Sequence, residues 1–560
     1  MLLLYVVFMF FQTVESVTIL LFLIGTTQFE RSMFEFLAQQ LALRNHNTIT
    51  VKPILIPEEP RLVKPKLHLV REKTLKNLLP RQMYEKLETI GNSIPWQKTY
   101  ELDAHRIPYY AAHNHSCYKM LNSNLMDTLK KDNIDIAIVY AGNPCQLAIL
   151  HTLQIPFIYF DVEGFTDETL VASGTPPNLD IPPSSCLLES SSFYQRYLNG
   201  FCLLREYLVQ SGIYWTAKLF SQRYRLLDYP ITKQFLEDYE LKKKHEGNFP
   251  DVNKIKQNAE FYFINSDPLI EYDYALPPNV IPVGGLHIDH VKPLFYPWNT
   301  TLAASEKGTI VVSLGTQANS TAMTSAQFRA IYGALKGLTS YRIYWRLGPN
   351  SYHPSLPSDP PKHINFTAFI PQNDLLAHKR TVLLITNGGM MSIIEALAHG
   401  VPIVGIPLYG NNRHNLRKVV NKGFGVIVEK SELSQAALSK AIKEVLETKK
   451  YKATAKELSK LWNDRSESAF DVALRYIEHA GRNRGAKFLR PPRRTLFYLR
   501  PLCFDFLLIL LTASLLPVSI IFLLFTKLCG HSSLKSDRQN KKLEKQKVSF
   551  FEFYCKKETN

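Results

Sequence analysis

Short apolar runs alternate with stretches of helical periodicity along most of the chain. Val17–Ile24 is one such run; it ends at Gly25-Thr26-Thr27, and apolar positions from Met33 to Leu43 then repeat at helical spacing. Thr48–Ile54 resumes strand character. Ile134–Tyr140 (IDIAIVY) reads as a buried strand, Cys145–Leu153 as a helix and Pro156–Phe160 as the next strand. Strand–helix–strand units of this kind predict a parallel sheet with helices on both faces. Leu187 to about Tyr239 is helical and aromatic-rich, an insertion into that pattern.

A composition break at Ala275–Trp298 (ALPPNVIPVGGLHIDHVKPLFYPW) opposes regular structure through its prolines and glycines, so it reads as a linker. The alternation then restarts. Thr309–Leu314 ends at Gly315-Thr316, and Arg342–Arg346 is a second strand. Val382–Thr386 runs into Asn387-Gly388-Gly389 and a helix from near Met391, with a further strand at Val401–Ile406. The expected fold class is α/β: two doubly wound, Rossmann-like domains over 17–274 and 305–480, joined by a linker over 275–304. Ligands of such sheets bind at the carboxyl ends of the strands, so the cleft between the domains suits a nucleotide-sugar.

Length agrees with this division, because 560 residues exceed one hydrophobic core. The net charge of +17 is unusual, and much of it gathers near the C-terminus: 482–500 holds seven basic residues, and the tail after Lys527 is basic too. That charge brackets an apolar segment, which favours a membrane surface over nucleic acid. Phe506–Thr526 carries no charge and has about the ~20 residues that cross a bilayer. The expectation is a basic juxtamembrane segment over 481–505, a transmembrane helix over 506–526 and a cytosolic tail over 527–560.

At the other end Met1–Phe11 is almost wholly apolar, and Val14-Glu15-Ser16 offers small residues for cleavage. We read 1–16 as a signal peptide, the alternative being a transmembrane run to Ile24. The expected body is lumenal, in a single-pass type I protein. Asn114, Asn299, Asn319 and Asn365 begin N-x-S/T sequons, and Lys556-Lys557 resembles a dilysine retrieval signal of the endoplasmic reticulum. The seven cysteines form no CxxC and no Cys/His group with zinc spacing, so no structural metal is expected. They allow a disulfide in the body without assigning its pairing.

Phe369–Asn415 carries a long motif: FIPQNDLLAH, then ITNGGMMSIIEALAHGVPIVGIPLYGNNRHN. It resembles the signature of the UDP-glycosyltransferase family, whose animal members include the glucuronosyltransferases. The likeness extends to Val17–Pro53, Ile134–Phe160, Ser313–Thr316 and GAKFLRP at Gly485–Pro491. It implies a GT-B fold and an inverting, metal-independent transfer from a UDP-sugar, with no further cofactor. UDP would sit on the C-terminal domain and a small lipophilic acceptor on the N-terminal one. The Gly388-Gly389 turn would bring backbone N–H groups and a helix N-terminus to the diphosphate. By the same resemblance Gln372 and Glu395 contact the uridine, Phe369 stacks on uracil, and Thr316 and Arg346 are further nucleotide contacts. Self-association of membrane relatives leaves a homo- or hetero-oligomer open.

The resemblance breaks at the reacting centre. The family's His base after the first strand falls on Glu30, and the Asp that orients it falls on Tyr140. The family's phosphate-contacting His is Asn387, and its sugar-contacting Asp-Gln pair is Asn411-Asn412. Asn donates to phosphate but cannot become cationic, and it lacks a carboxylate's charge-assisted acceptance. An exposed Glu, with a pKa near ~4.3, is a weak base toward an alcohol, and a hydrogen bond from Tyr140 would weaken Glu30 further. His113 and His115 lie elsewhere in the same half. Two readings stand: an active UDP-sugar transferase with an altered centre, or a weakened or inactive relative that binds nucleotide or acceptor or regulates active paralogues.

Overall fold

Strand β1 (Thr18–Phe22) is buried along almost its whole length and lies between β2 (Asn47–Pro53) and β4 (Ile136–Tyr140), with Leu20 level with Ile49 and Ala137. The structure, a computed structural model, describes residues 16–23, 28–55, 69–98, 106–186, 193–211, 213–238, 240–241, 248–288, 291–296, 298–303, 306–316, 318–348, 351–490, 508, 511–527 and 540–545. With β3 (Arg71–Leu75), β5 (Phe157–Asp161), β6 (Phe261–Ile264) and β7 (Val280–Pro282) these strands make a parallel sheet in the order β3-β2-β1-β4-β5-β6-β7.

Side chains alternate between two apolar layers, as the strand period requires. Leu20, Phe22, Val139 and Tyr159 enter one, beneath the helices Ile107–Leu121 and Pro144–Leu153. Ile19, Leu21, Ile138 and Phe160 enter the other, against Phe34, Leu37 and Leu41 of the helix Gln28–Leu43. Each fully buried side chain of this size is worth about 1.5–3 kcal/mol.

The second sheet is built alike from β8 (Gly308–Ser313), β9 (Tyr341–Arg346), β10 (Ile364–Thr367), β11 (Thr381–Thr386), β12 (Ile403–Gly405) and β13 (Gly425–Ile427). Its order is β10-β9-β8-β11-β12-β13, again parallel. Val312, Trp345 and Ile385 face the helix Ser325–Lys336, while Val311 and Leu384 face Met390–His399. Both sheets have the doubly wound order expected from the alternation of elements.

Two expectations are corrected. The segment read as irregular linker holds β7: Val280 and Ile281 enter opposite layers, and Pro282 ends an edge strand, where a missing N–H costs no ladder bond. The helix Ala469–Arg482, assigned by position to the second domain, packs on the first. Its Ala473, Leu474, Ile477 and Ala480 share the layer of Val17 and Ile19, and its Asp471 and Glu478 meet Arg44 and His46. Helical spacing shows such a helix but not which sheet its apolar face will cover. Among the described residues two disulfides close, Cys117–Cys145 and Cys186–Cys202, where the sequence allowed one without assigning its pairing.

Among the sequons, Asn114 donates to the backbone oxygen of Leu226, and Asn319 donates to Asn92 while accepting from Thr321. Both side chains are committed to internal bonds. Residues 494–560 form a separate unit, in which 511–527 are helical and their side chains exposed. Among the described residues no helix is long and apolar enough to cross a membrane. Signal-peptide residues 1–15, segment 491–505, positions 506, 507, 509 and 510, and Lys556-Lys557 lie outside the described residues.

Candidate functional site

Strand β11 ends at Thr386, and the chain turns through Asn387-Gly388-Gly389 into the helix Met390–His399. Gly388 has a φ of 91°, and a Cβ there would lie 2.4 Å from Cγ of Leu416 and 2.8 Å from the Asn412 oxygen. Both conformation and packing therefore demand glycine. Gly389 differs: its φ is −62°, and an added Cβ would meet only Oδ1 of Asn387, at 3.8 Å. Its missing side chain keeps open the space before the helix's first N–H groups. A diphosphate is the ligand such a turn accepts.

Further along this helix stand Ser392 and Glu395. Gln372, the first residue of the helix Gln372–Ala377, donates its amide to the Glu395 carboxylate and to Oγ of Ser392, the latter at 2.9 Å. The other Glu395 oxygen lies 3.6 Å from Nε2 of His287, which is buried just beyond β7. Phe369, three residues before Gln372, is 52% exposed, and a stacking platform must be open in this way. Gln372 and Glu395 thus come together at the helix that follows the glycine turn, with Phe369 near Gln372 in the chain. His287 joins them unforeseen; its signal was a His among the prolines and glycines of the supposed linker, a composition that carries no distance to Glu395.

Thr316 follows Gly315, at which an added Cβ would lie 2.9 Å from Nδ2 of Asn387, and Arg346 ends β9. Thr316 is exposed, and Arg346 donates to the Gly315 oxygen at 3.0 Å, which fastens the turn after β8. Asn387 is buried, and its Nδ2 donates to Oδ1 of Asn412 and Oη of Tyr409, each at 3.3 Å. The amide expected to meet phosphate therefore faces into its own domain.

Asn411 reaches the other way. Its Nδ2 donates to Oε2 of Glu163 at 2.8 Å, and the hydroxyl of Tyr140 donates to Oε1 of the same carboxylate at 3.2 Å. Glu163 follows β5, so the carboxyl ends of the first sheet meet the loop after β12. Asn415 adds a bond from its Nδ2 to the Glu163 backbone oxygen at 3.0 Å. Tyr140 and Asn411, read separately from the sequence, are joined through a residue that the sequence did not single out. Glu163 belongs to no motif, and its one hint is a place among Asp161, Asp167 and Glu168 after a strand. The carboxylate expected to receive Tyr140 was Glu30. Glu30 lies in the first turn of the helix Gln28–Leu43, and its side chain is outside the described residues.

Behind Glu163, Asp161 accepts from the hydroxyls of Thr166 and Thr169, and burial raises its pKa to about 6. The domains are further tied by Lys418 and Glu271, 2.8 Å apart and both buried, and by Trp96, whose Nε1 donates to the Asn319 oxygen at 2.8 Å. Toward the acceptor side, Arg223 donates to the Gly142 oxygen beyond β4 at 3.2 Å and pairs with Glu168. Burial, with Arg223 adding to it, lowers His113 to about 4. A neutral imidazole of that pKa is a weak base, so His113 makes a poor substitute for the missing His. Among the described residues no three His, Cys, Asp or Glu side chains are grouped to hold a metal ion.

Comparison with known proteins bears on the same site. The family model described as "UDP-glucoronosyl and UDP-glucosyl transferase" matches residues 61–540. UDP-glucuronosyltransferase 2C1 of Oryctolagus cuniculus is 29% identical over 412 residues, covering 73% of this chain and 76% of its own. UDP-glucuronosyltransferase 2B15 of Rattus norvegicus is 30% identical over 382 residues, covering 66% and 65%. Among solved structures, Os79 from O. sativa in complex with UDP aligns with a TM-score of 0.54 at 13% identity, over 83% of this chain and all of that one. The last likeness is one of fold, and it is the two-domain GT-B arrangement.

Proposed function

Because the chain belongs to the family of UDP-glucuronosyl and UDP-glucosyl transferases, we propose that it moves a sugar from a UDP-sugar to a small lipophilic acceptor. The observation that carries this reading is the constellation of Gln372, Glu395 and the open Gly389 turn at the carboxyl end of β11. Glu395 accepts the ribose hydroxyls, Gln372 orients it and meets the base, Phe369 stacks on uracil, and the Gly389 turn receives the diphosphate. Thr316 and Arg346 border that pocket.

The reaction is an inverting displacement without metal. The acceptor oxygen bonds to the anomeric carbon, the carbon–phosphate oxygen bond breaks, and UDP leaves with the electron pair. The acceptor's proton passes to a carboxylate, for which Glu30 is the candidate, and loss of an imidazole base slows the step by roughly 10²–10⁴-fold. A phenol, being more acidic than an alcohol, suffers least.

We place the body in the lumen of the endoplasmic reticulum, anchored by 506–526. Support comes from the uncharged segment itself and from the exposed leucines, isoleucines and phenylalanines of its helical part. A second reading is favoured by the amides of Asn387 and Asn411, which are engaged by the protein's own Asn412, Tyr409 and Glu163. On that reading the chain binds UDP and turns over weakly or not at all. UDP release from the full chain, given UDP-sugars and a phenol mixture, separates the two. Acceptor-dependent release that disappears in Glu30→Ala supports the transferase with a carboxylate base; binding of UDP without release supports the second reading.

A further inference from the structure

We infer that Asn299 carries an N-linked glycan, whose first sugar packs on the exposed rings of Phe295 and Tyr296. This rests on the reading of the body as lumenal and deepens it. Of the four asparagines that begin sequons, Asn299 is the exposed one, while Asn114, Asn319 and Asn365 are half-buried. Its Oδ1 accepts from the N–H of Thr300 at 2.8 Å. Among the described residues its Nδ2, the atom that takes a glycan, has no acceptor.

The other three sequons are engaged in the fold. Asn114 donates to the Leu226 oxygen, and Ser116 of its sequon is buried, its Oγ donating to the His113 oxygen at 3.0 Å. Asn319 donates to Oδ1 of Asn92 at 3.2 Å and accepts from the Thr321 hydroxyl at 2.7 Å. Asn365 lies within β10, level with Tyr344 of β9, and the Thr367 hydroxyl of its sequon donates to the Phe369 oxygen at 2.6 Å. A glycan on Asn114 or Asn319 would displace a bond the fold uses, and one on Asn365 would need room inside a paired strand.

Asn299 stands in the first turn of the helix Trp298–Ala303, where the Phe295 oxygen accepts from the N–H of Trp298 at 2.8 Å and of Asn299 at 3.3 Å. That turn folds the chain so that Phe295 and Tyr296 stay beside Asn299. The two residues are 74% and 83% exposed, and the C–H face of a pyranose suits the face of an open aromatic ring. In the modification Nδ2 bonds to the anomeric carbon of a lipid-diphosphate oligosaccharide. The bond from that carbon to the phosphate oxygen breaks, and the lipid diphosphate leaves with the electron pair. The amide proton passes to a base of the lumenal transferase that carries out the step.

The test uses the full chain made in eukaryotic cells and kept in intact microsomes, as wild type, Asn299→Gln, Thr301→Ala and Asn365→Gln. Wild type should show one step in gel mobility that an N-glycan-cleaving amidase removes. Asn299→Gln and Thr301→Ala should lack the step, and Asn365→Gln should keep it. In purified protein, removing the glycan should lower the wild-type thermal midpoint by about 1–2 °C, and that of Phe295→Ala/Tyr296→Ala by less. Protection of the body from added protease reports the lumenal reading separately. A bare Asn299 in a protected body overturns the inference alone, as does a glycan confined to another sequon. Equal falls in midpoint with and without the two rings overturn the packing on them. A body open to protease overturns the lumenal reading, and this inference with it.

Discussion

The amide of Gln372 donates to the carboxylate of Glu395 across a separation of 23 residues, joining the start of one helix to the middle of another. The pair is where the uridine reading can be tested most cleanly, because neither side chain helps to fill a core. A hydrogen bond to a charged group is worth about 1.5–3 kcal/mol. Glu395→Ala should therefore weaken UDP binding roughly 10–100-fold, with a modest fall in thermal midpoint from the lost bond to Gln372. Gln372→Ala should weaken it less, because the carboxylate remains. Calorimetric titration with UDP measures both.

The two glycines of the turn should separate stability from affinity. Gly388→Ala forces a side chain to adopt positive φ against Leu416 and should cost on the order of 3 kcal/mol, seen as a lowered thermal midpoint. Gly389→Ala has ordinary φ and room for its methyl, so its midpoint should stay within about 0.5 kcal/mol of wild type. Its UDP affinity should nevertheless fall, because the methyl occupies space before the helix N-terminus. Equal midpoints for the two variants would contradict the packing argument.

Much of this was legible along the chain. Strands β4, β5 and β11 are contiguous apolar runs buried on both faces, and each lies within two residues of its expected place. The glycine turn and its neighbours Gln372 and Glu395 were legible because the motif is long. Strand β3 was not, because its sequence REKTL lies at a sheet edge and has no apolar run. Nor were Glu163 and His287, whose partners are 248 and 108 residues away in the chain. Contacts of that range depend on how two domains close, and local patterning holds no record of it.

Lys418 and Glu271 tie the domains by a buried ion pair, and breaking one side leaves an uncompensated charge. Lys418→Met should cost about 3–5 kcal/mol. The double variant Lys418→Met/Glu271→Gln should regain at least part of it, since no lone charge remains. Chemical denaturation of the four proteins in the cycle gives the coupling; additive losses would mean the pair does not act as one.

Asp161 carries a pH dependence of defined sign. Burial raises its folded pKa from 3.8 to about 6, so the folded protein binds the proton more tightly than the unfolded chain. Its contribution is fully present below the unfolded pKa and is lost as pH rises toward the folded one. Asp161→Asn removes that loss, so the variant's stability relative to wild type should grow between about pH 4 and pH 6. His113, lowered from 6.5 to about 4, acts in the opposite direction over a similar window. Wild-type slope alone is therefore uninformative, and the difference between the two proteins is the quantity to measure, by thermal midpoint at each pH.

The most direct test of the central claim is UDP binding to the purified full chain, wild type beside Glu395→Ala, by calorimetric titration. The account predicts one saturable site in wild type and a loss of roughly 10–100-fold in the variant, measured at a temperature where both are folded. Absence of saturable binding in wild type, or equal affinity in both proteins, would contradict it.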